Sequence, residues 1–132
     1  GFAHGCNLWF RAAGQASGEA RREAWRELGL FRAAELHFAS CVNQARFVAA
    51  RDRLLAAAGE AERAACREEL RWVVRSELDV TKRLLPLARA DSRIGYESSN
   101  HYFYIPQDLI EKVLCCRQIL EDLGETRRKT ER

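Results

Sequence analysis

The feature that most constrains this chain is an apolar spacing of three and four residues that continues from Gly18 almost to Gly59. This spacing places one apolar stripe along an α-helix, because 3.6 residues make one turn. The stripe consists of Ala20, Ala24, Leu28, Phe31, Ala34, Phe38, Cys41, Ala45, Val48 and Leu55. The sequence therefore predicts a long amphipathic helix over residues 18–58, with Ser17 as its N-cap and Gly59 as the left-handed residue that ends it.

Two further helices are predicted downstream. After a short link the apolar spacing resumes from Cys66 to Ala88, and Pro86 is expected to kink this helix or shift its last turn. A third helix is expected from Pro106 to Gly124, because proline is tolerated in a first turn and glycine commonly follows a last one. The short link favours an antiparallel hairpin of the first two helices.

The segment before these helices has a different composition. Residues 1–17 carry Phe2, Leu8, Trp9 and Phe10 with three glycines and no long period, so we predict an irregular or briefly helical lead-in whose aromatic side chains pack on the core. The expected fold class is all-α. It is a three-helix bundle built on a long antiparallel helical hairpin, with an irregular aromatic N-terminal lead-in and an ordered polar loop before the third helix.

Composition narrows the classes of function. With 47% hydrophobic and 31% charged residues, the 132-residue chain is typical of one globular domain. Its 22 basic and 19 acidic side chains are interleaved along the helices, and the formal net charge is +3. This mixture favours solvated faces, and neither nucleic acid nor a membrane is predicted as a partner. Because the chain has no initiating methionine, we expect 1–132 to be a single helical domain excised from a larger protein.

The cysteines favour free thiols over a disulfide framework, because their number is odd and most lie within apolar helical patterns. They are Cys6, Cys41, Cys66, Cys115 and Cys116. Free thiols indicate a reducing compartment and so favour a cytoplasmic location, while a secreted parent protein stays open. No pair has the spacing of a zinc knuckle, and neither a metal nor another cofactor is predicted.

Two pairs of side chains have a spacing found in metal sites or in hydrolase active sites. His37 lies four residues before Cys41 on one face of the first helix, but no third or fourth metal ligand is visible, so a packed histidine is favoured. Asp91 and Glu97 form a carboxylate pair of the kind that glycosidases use. Asp91 is better explained as a turn or cap residue after a helix end, and Glu97 as an ion-pair partner of Arg93 or Arg89. No catalytic residue is predicted.

A dense set of polar and aromatic side chains interrupts the helical pattern between residues 89 and 106. A loop that only reversed the chain would need a few glycine, aspartate or serine residues. The candidate ligand-binding residues here are Arg93, Tyr96, Glu97, Asn100, His101, Tyr102 and Tyr104. Aromatic rings beside polar groups suit sugars, but the same residues could bond to one another as a structural corner, and both alternatives stay open.

Polar side chains also interrupt the first helix, where Asn43, Gln44 and Arg46 stand among apolar neighbours. Buried polar groups need hydrogen-bond partners, and the polar corner is the segment richest in them. We therefore predict a packed polar network between the first helix and the corner, with Asn43 or Arg46 within hydrogen-bond reach of residues 91–104.

Two stretches carry a resemblance to a known family. AAELHFASCVNQARFVAARDRL and LLPLARADSRIGYESSNHYFYIPQDLIEKVLCCRQIL resemble the C-terminal helical region of large bacterial glycoside-hydrolase-like proteins, in which such a segment follows a catalytic barrel. The similarity covers roughly residues 31–123, and its most distinctive part is DSRIGYE followed by NHY. It implies a non-catalytic accessory domain that packs on the catalytic domain of the same parent chain and lends loop residues to carbohydrate binding.

Two other hypotheses follow from the residues themselves. A stand-alone interaction or dimerisation module would pair its hairpin with a second copy through exposed residues such as Trp25, Phe47 and Trp72. A small independent enzyme would use Glu97 and His101 as its catalytic groups.

Overall fold

The computed structural model describes residues 1–95 and 104–124, and these residues are almost entirely helical. The helices are α1 (Phe2–Gln15), α2 (Gly18–Ala56), α3 (Glu60–Ala90) and α4 (Pro106–Asp122). No strand occurs within the two described ranges. The all-α bundle predicted from the apolar spacing is therefore confirmed. No helix in the described part of the chain has the length and apolarity that crossing a membrane requires.

The long hairpin is formed by α2 and α3, which run antiparallel. Asn43 of α2 contacts Glu77 of α3 through a hydrogen bond, while Arg53, farther along α2, contacts Glu69, which comes earlier in α3. The link differs from the prediction in one respect. Gly59 has a φ of −109° and caps the start of α3, so it is not the left-handed residue that ends α2. The prediction for Gly59 was wrong because α2 already ends at Ala56.

Helix α3 packs against both α2 and α4. Helix α4 is antiparallel to α3. Arg71 in the first half of α3 donates two hydrogen bonds, of 2.9 and 3.1 Å, to the carbonyl of Leu123, whereas Glu77 later in α3 pairs with Lys112 earlier in α4. Gly124 follows with a φ of +85°, a conformation that glycine adopts without strain, and so ends α4 as predicted. The backbones of α2 and α4 do not approach each other within the described ranges, which leaves a groove between them.

Of the two forms predicted for residues 1–17, irregular or briefly helical, the structure has the helical one, the 14-residue helix α1, so the bundle has four helices and not three. Among the described helices it packs on α2 alone, and Cys6 and Ala13 are buried in the contact. The indole nitrogen of Trp9 also donates a 2.8 Å hydrogen bond to the carbonyl of Ala24. Three ring contacts line the same contact, at centroid distances of 5.2, 5.3 and 5.2 Å: Phe2 with Phe38, Trp9 with Phe31, and Phe10 with Trp25.

The largest apolar cluster lies where α3 meets α2 and α4. Leu84 of α3 and Leu109 of α4 are almost fully buried in it, and Leu36 supplies the contact from α2. Helix α3 continues through Pro86 to Ala90, so its end near residue 89 agrees with the prediction. This cluster and a smaller one around Val74, Cys116 and Leu120 lie on either side of a set of buried polar groups.

Candidate functional site

Polar side chains are buried between the two apolar clusters, where α2, α3 and the start of α4 meet. Ser40 is fully buried, and Asn43 and Glu77 are 5% and 7% exposed. We call these three residues, together with their partners Gln44, Tyr104 and Lys112, the polar centre; Gln44 is exposed, and Tyr104 and Lys112 are half-buried. A buried carboxylate is costly unless charged or hydrogen-bonding groups surround it, so the partners of Glu77 decide whether the centre is stable.

Both carboxylate oxygens of Glu77 have hydrogen-bond partners. Ser40 Oγ donates a 2.6 Å hydrogen bond to one of its oxygens, and Asn43 Nδ2 donates a 2.9 Å hydrogen bond to the other. The ammonium group of Lys112 forms a salt bridge with the first oxygen. Three donors from two different helices therefore converge on one side chain of α3.

Tyr104 closes the polar centre from the end of the polar corner. Its hydroxyl accepts a 3.0 Å hydrogen bond from Gln44 Nε2 and lies 3.2 Å from Ser40 Oγ. The ammonium of Lys112 lies 4.8 Å from the centre of its ring, a distance suited to a cation–π interaction. Tyr104 has a φ of +65°, which is strained for a residue with a side chain. We infer that these contacts offset the backbone strain, which is of order 1–3 kcal/mol in such cases.

The predicted network between the first helix and the corner is therefore present, but through different residues. Gln44 and Ser40 make the direct contacts to Tyr104, whereas Asn43 is bonded to Glu77 and to Ser76. In the described part of the chain, Asn43 makes no hydrogen bond to the corner. The Arg46 guanidinium lies over the ring of Trp72, 5.4 Å from its centre.

The sequence prediction missed Ser40, Glu77 and Lys112, although a signal for two of them was present. Glu77 lies four residues after Val73 and four before Thr81, so it occupies a position of the apolar stripe. Lys112 lies three residues after Leu109 and occupies an inward position in the same way. A charged residue at such a position needs a buried partner, and each is the partner of the other.

One contact in the polar centre resembles the geometry of a catalytic pair, because Lys112 Nζ lies 3.0 Å from Ser40 Oγ. A serine nucleophile needs a neighbouring base with a free lone pair and access for a substrate. The ammonium of Lys112 is paired with Glu77, and Ser40 has no exposed surface. The arrangement therefore supports a structural role for this pair.

Of the seven predicted ligand-binding residues, the structure describes Arg93 and Tyr104. Arg93 donates hydrogen bonds of 2.6 to 3.1 Å to both carboxylate oxygens of Asp91 and contacts Glu27 of α2 at 3.3 Å. Hydrogen bonds from the Arg93 side chain, and then from its backbone N–H, lower the pKa of Asp91 to about 2. Arg93 and Tyr104 thus both bond within the protein. The other five lie outside the described residues: Tyr96, Glu97, Asn100, His101 and Tyr102.

His37 and Cys41 form an exposed pair on α2. The predicted proximity is confirmed, because Nε2 of His37 lies 3.8 Å from Sγ of Cys41. The imidazole ring packs edge-on against Tyr104, with 4.9 Å between the ring centres. No group of three or more potential metal ligands is present among residues 1–95 and 104–124.

The groove between α2 and α4 begins beside the polar centre and has a volume of about 270 Å³. Its lining residues are Asn43, Gln44, Phe47, Val48, Val73, Val74, Glu77, Cys116 and Ile119. Burial raises the pKa of the Cys116 thiol to about 11, and the negative charge of Glu77 acts in the same direction. The thiol of Cys116 is therefore neutral near pH 7 and poorly reactive.

Comparison with known proteins found no family, no curated protein and no solved structure that matches the chain.

Proposed function

We propose that this chain is a non-catalytic helical accessory module that packs on the catalytic domain of a glycoside-hydrolase-like protein. The observation that carries the proposal is an aromatic face on α1 and α2. Its six rings keep between 38% and 54% of their surface exposed, although each packs against another ring. They are Phe2, Trp9, Phe10, Trp25, Phe31 and Phe38.

An exposed surface of this kind favours contact with another protein. Monomeric proteins rarely leave large contiguous apolar patches in water, and aromatic side chains contribute much of the binding energy at protein interfaces. Helix α1 packs on α2 and on neither of the other described helices, so the aromatic face has no further layer over it within the described chain. A folded partner domain would remove these rings from water.

Two considerations support an accessory role. Both oxygens of Glu77 in the polar centre accept hydrogen bonds from within the protein, and Ser40 is closed to solvent. These features favour a structural role for the polar centre over a catalytic one. The resemblance of residues 31–123 to the helical region of glycoside-hydrolase-like proteins makes a catalytic barrel the first candidate for the partner. A contribution to carbohydrate binding stays a prediction, because Arg93 and Tyr104 are engaged in internal contacts and the other five candidates lie outside the described residues.

The test begins with the coding sequence upstream of Gly1 and with the domain it encodes, produced as a separate protein. We expect a barrel of alternating strands and helices that binds this chain in isothermal titration calorimetry. Phe38→Asp is expected to weaken binding at least about tenfold, because it places a charge on the aromatic face. Ile110→Asp is the matched control, since Ile110 is similarly exposed, 51% against 54%, but lies on α4. A start codon directly upstream, or binding that Phe38→Asp leaves unchanged, would overturn the proposal.

The same aromatic face supports a second candidate, a module that pairs with a copy of itself. Of the residues first considered for this role, Trp25 belongs to the aromatic face, whereas Phe47 packs against the Val74 cluster and Trp72 is partly covered by Arg46. Sedimentation velocity over a range of concentrations separates the two candidates. Self-association that Phe38→Asp abolishes supports pairing, and a monomer at the highest concentration excludes it.

A further inference from the structure

We propose that Cys41 is a reactive thiol, activated by His37, that forms mixed disulfides with small-molecule disulfides. The proposal is independent of the aromatic face and of any partner domain. It rests on a nucleophile and a base that lie one helical turn apart on α2, 3.8 Å from each other, and that are both exposed. A thiol and an imidazole within hydrogen-bond reach are the basic arrangement of an activated cysteine.

The position of the imidazole is restrained by its surroundings. Its ring packs edge-on against Tyr104 at 4.9 Å and lies 6.0 Å from the ring of Phe38. Tyr104 is itself held by its hydrogen bond with Gln44. These contacts keep Nε2 directed at the sulfur, so that the tautomer with its proton on Nδ1 can accept the thiol proton at Nε2.

The chemistry is a balanced exchange. Cys41 Sγ passes its proton to His37 Nε2, and the resulting thiolate attacks one sulfur of the disulfide. The bond between the two disulfide sulfurs breaks as a bond between Cys41 and one of them forms. The departing thiolate takes the proton from the imidazolium and leaves as a thiol. Cys41 is oxidised, the small disulfide is reduced, and no further reagent is needed.

The other cysteines provide the contrast. Cys6, Cys66 and Cys116 are buried, whereas Cys115 is exposed on α4. No hydrogen bond to Cys115 is found among the described residues, so it is an exposed thiol without the base. A comparison of Cys41 with Cys115 therefore separates activation by His37 from simple exposure to solvent.

The experiment uses oxidised glutathione as the probe and intact-protein mass spectrometry as the readout. The Cys115→Ser variant leaves Cys41 as the reporting thiol, and Cys41→Ser leaves Cys115. We expect Cys41 to form the mixed disulfide about tenfold faster than Cys115 at neutral pH. In the Cys115→Ser background, His37→Gln and His37→Phe should both slow Cys41 to the rate of Cys115, and the phenylalanine variant keeps a ring against Tyr104.

Two further measurements make the result decisive. Circular dichroism checks that each variant keeps the helical content of the parent protein. In concentrated urea, where the three buried cysteines also react and peptide mapping assigns each adduct, Cys41 and Cys115 should react at equal rates, because the contact between His37 and Cys41 depends on the folded helix. Equal rates for Cys41 and Cys115 in the folded protein, or a rate at Cys41 that neither replacement of His37 changes, would overturn the proposal.

Discussion

Glu77 of α3 and Lys112 of α4 form a salt bridge inside the bundle, where the Glu77 side chain is 9% exposed and that of Lys112 is 25% exposed. Removing one member of a buried ion pair leaves the other without compensation, which is far more costly than breaking a surface pair. Lys112 joins α4 to both neighbouring helices, because it pairs with Glu77 of α3 and also donates a hydrogen bond to Ser40 of α2.

We expect Lys112→Met to lower the free energy of unfolding by about 3 kcal/mol, because it leaves a buried carboxylate without its ammonium partner. Glu77→Gln is expected to have a similar effect. The double variant should lose much less than the sum of the two single variants, since neither charge then remains unpaired. Urea unfolding measures all three free energies.

The exposed pair of Asp79 and Arg83 is the control for this cycle, with side chains 68% and 56% exposed. Asp79→Asn should change the free energy of unfolding by less than about 1 kcal/mol. If Asp79→Asn and Glu77→Gln lowered the free energy of unfolding by equal amounts, the buried pair would not stabilise the fold more than an exposed one.

Tyr104→Phe removes one hydroxyl and keeps the ring. We expect a loss of about 1 kcal/mol in the free energy of unfolding, because Gln44 and Ser40 lose a hydrogen-bond partner. Gln44→Ala should cost less in a Tyr104→Phe background than in the parent protein, since the contact is already gone. Additive effects in thermal or urea unfolding would argue against a bond between these two residues.

Asp91 is expected to titrate with a pKa of about 2 in a carboxyl NMR titration, below its ordinary value of 3.8. The pKa of Asp91 is lower in the folded protein than in the unfolded chain, so the pair with Arg93 adds stability above about pH 4. That stability is lost as the pH falls towards 2. Arg93→Gln should return the pKa towards its ordinary value.

Glu27→Gln is the matched control for this titration. It removes the longer contact of Arg93, at 3.3 Å, and leaves the bonds between Arg93 and Asp91 in place. The pKa of Asp91 should then stay near 2. A value near 3.8 in the parent protein would refute the assignment.

Cys116 should ionise only near pH 11 in the folded protein, which ultraviolet absorbance of the thiolate can follow by comparison with Cys116→Ala. The pKa of Cys116 is higher in the folded protein than its ordinary value of 9.0. The stability that the neutral thiol contributes is therefore fully present below about pH 9 and is lost as the pH rises towards 11. Lys112→Met should raise the pKa further, because the Lys112 charge acts to lower it. Ionisation of Cys116 near pH 9 in the folded protein would contradict its burial.

Three of the four helices could be predicted from sequence because their apolar residues recur at helical spacing over many turns. Helix α1 was left open between an irregular and a briefly helical segment, since Gly5 and Gly14 lower its intrinsic helix propensity. Its stability comes from contacts with α2, such as the Trp9 hydrogen bond to Ala24, which local spacing does not reveal. Tertiary packing commonly decides the helicity of such segments.

The polar centre was predictable only in outline. Polar residues in the first helix indicated that a buried network exists, but Ser40 and Glu77 are 37 positions apart in the chain. Helical spacing tells which face a residue occupies and not which residue stands opposite on another helix. Tyr104 was singled out as a candidate ligand-binding residue and lies in the polar centre, while its partners depend on how the start of α4 meets α2.

Because no backbone contact joins α2 to α4 in the described structure, α4 can separate from the bundle without opening the hairpin. Amide hydrogen exchange should therefore divide the chain into two cooperative units. The α4 amides would exchange through a partial opening of lower free energy, and those at the interface of α2 and α3 through global unfolding. The strength of the buried ion pair would then set the difference between the free energy of this partial opening and that of global unfolding.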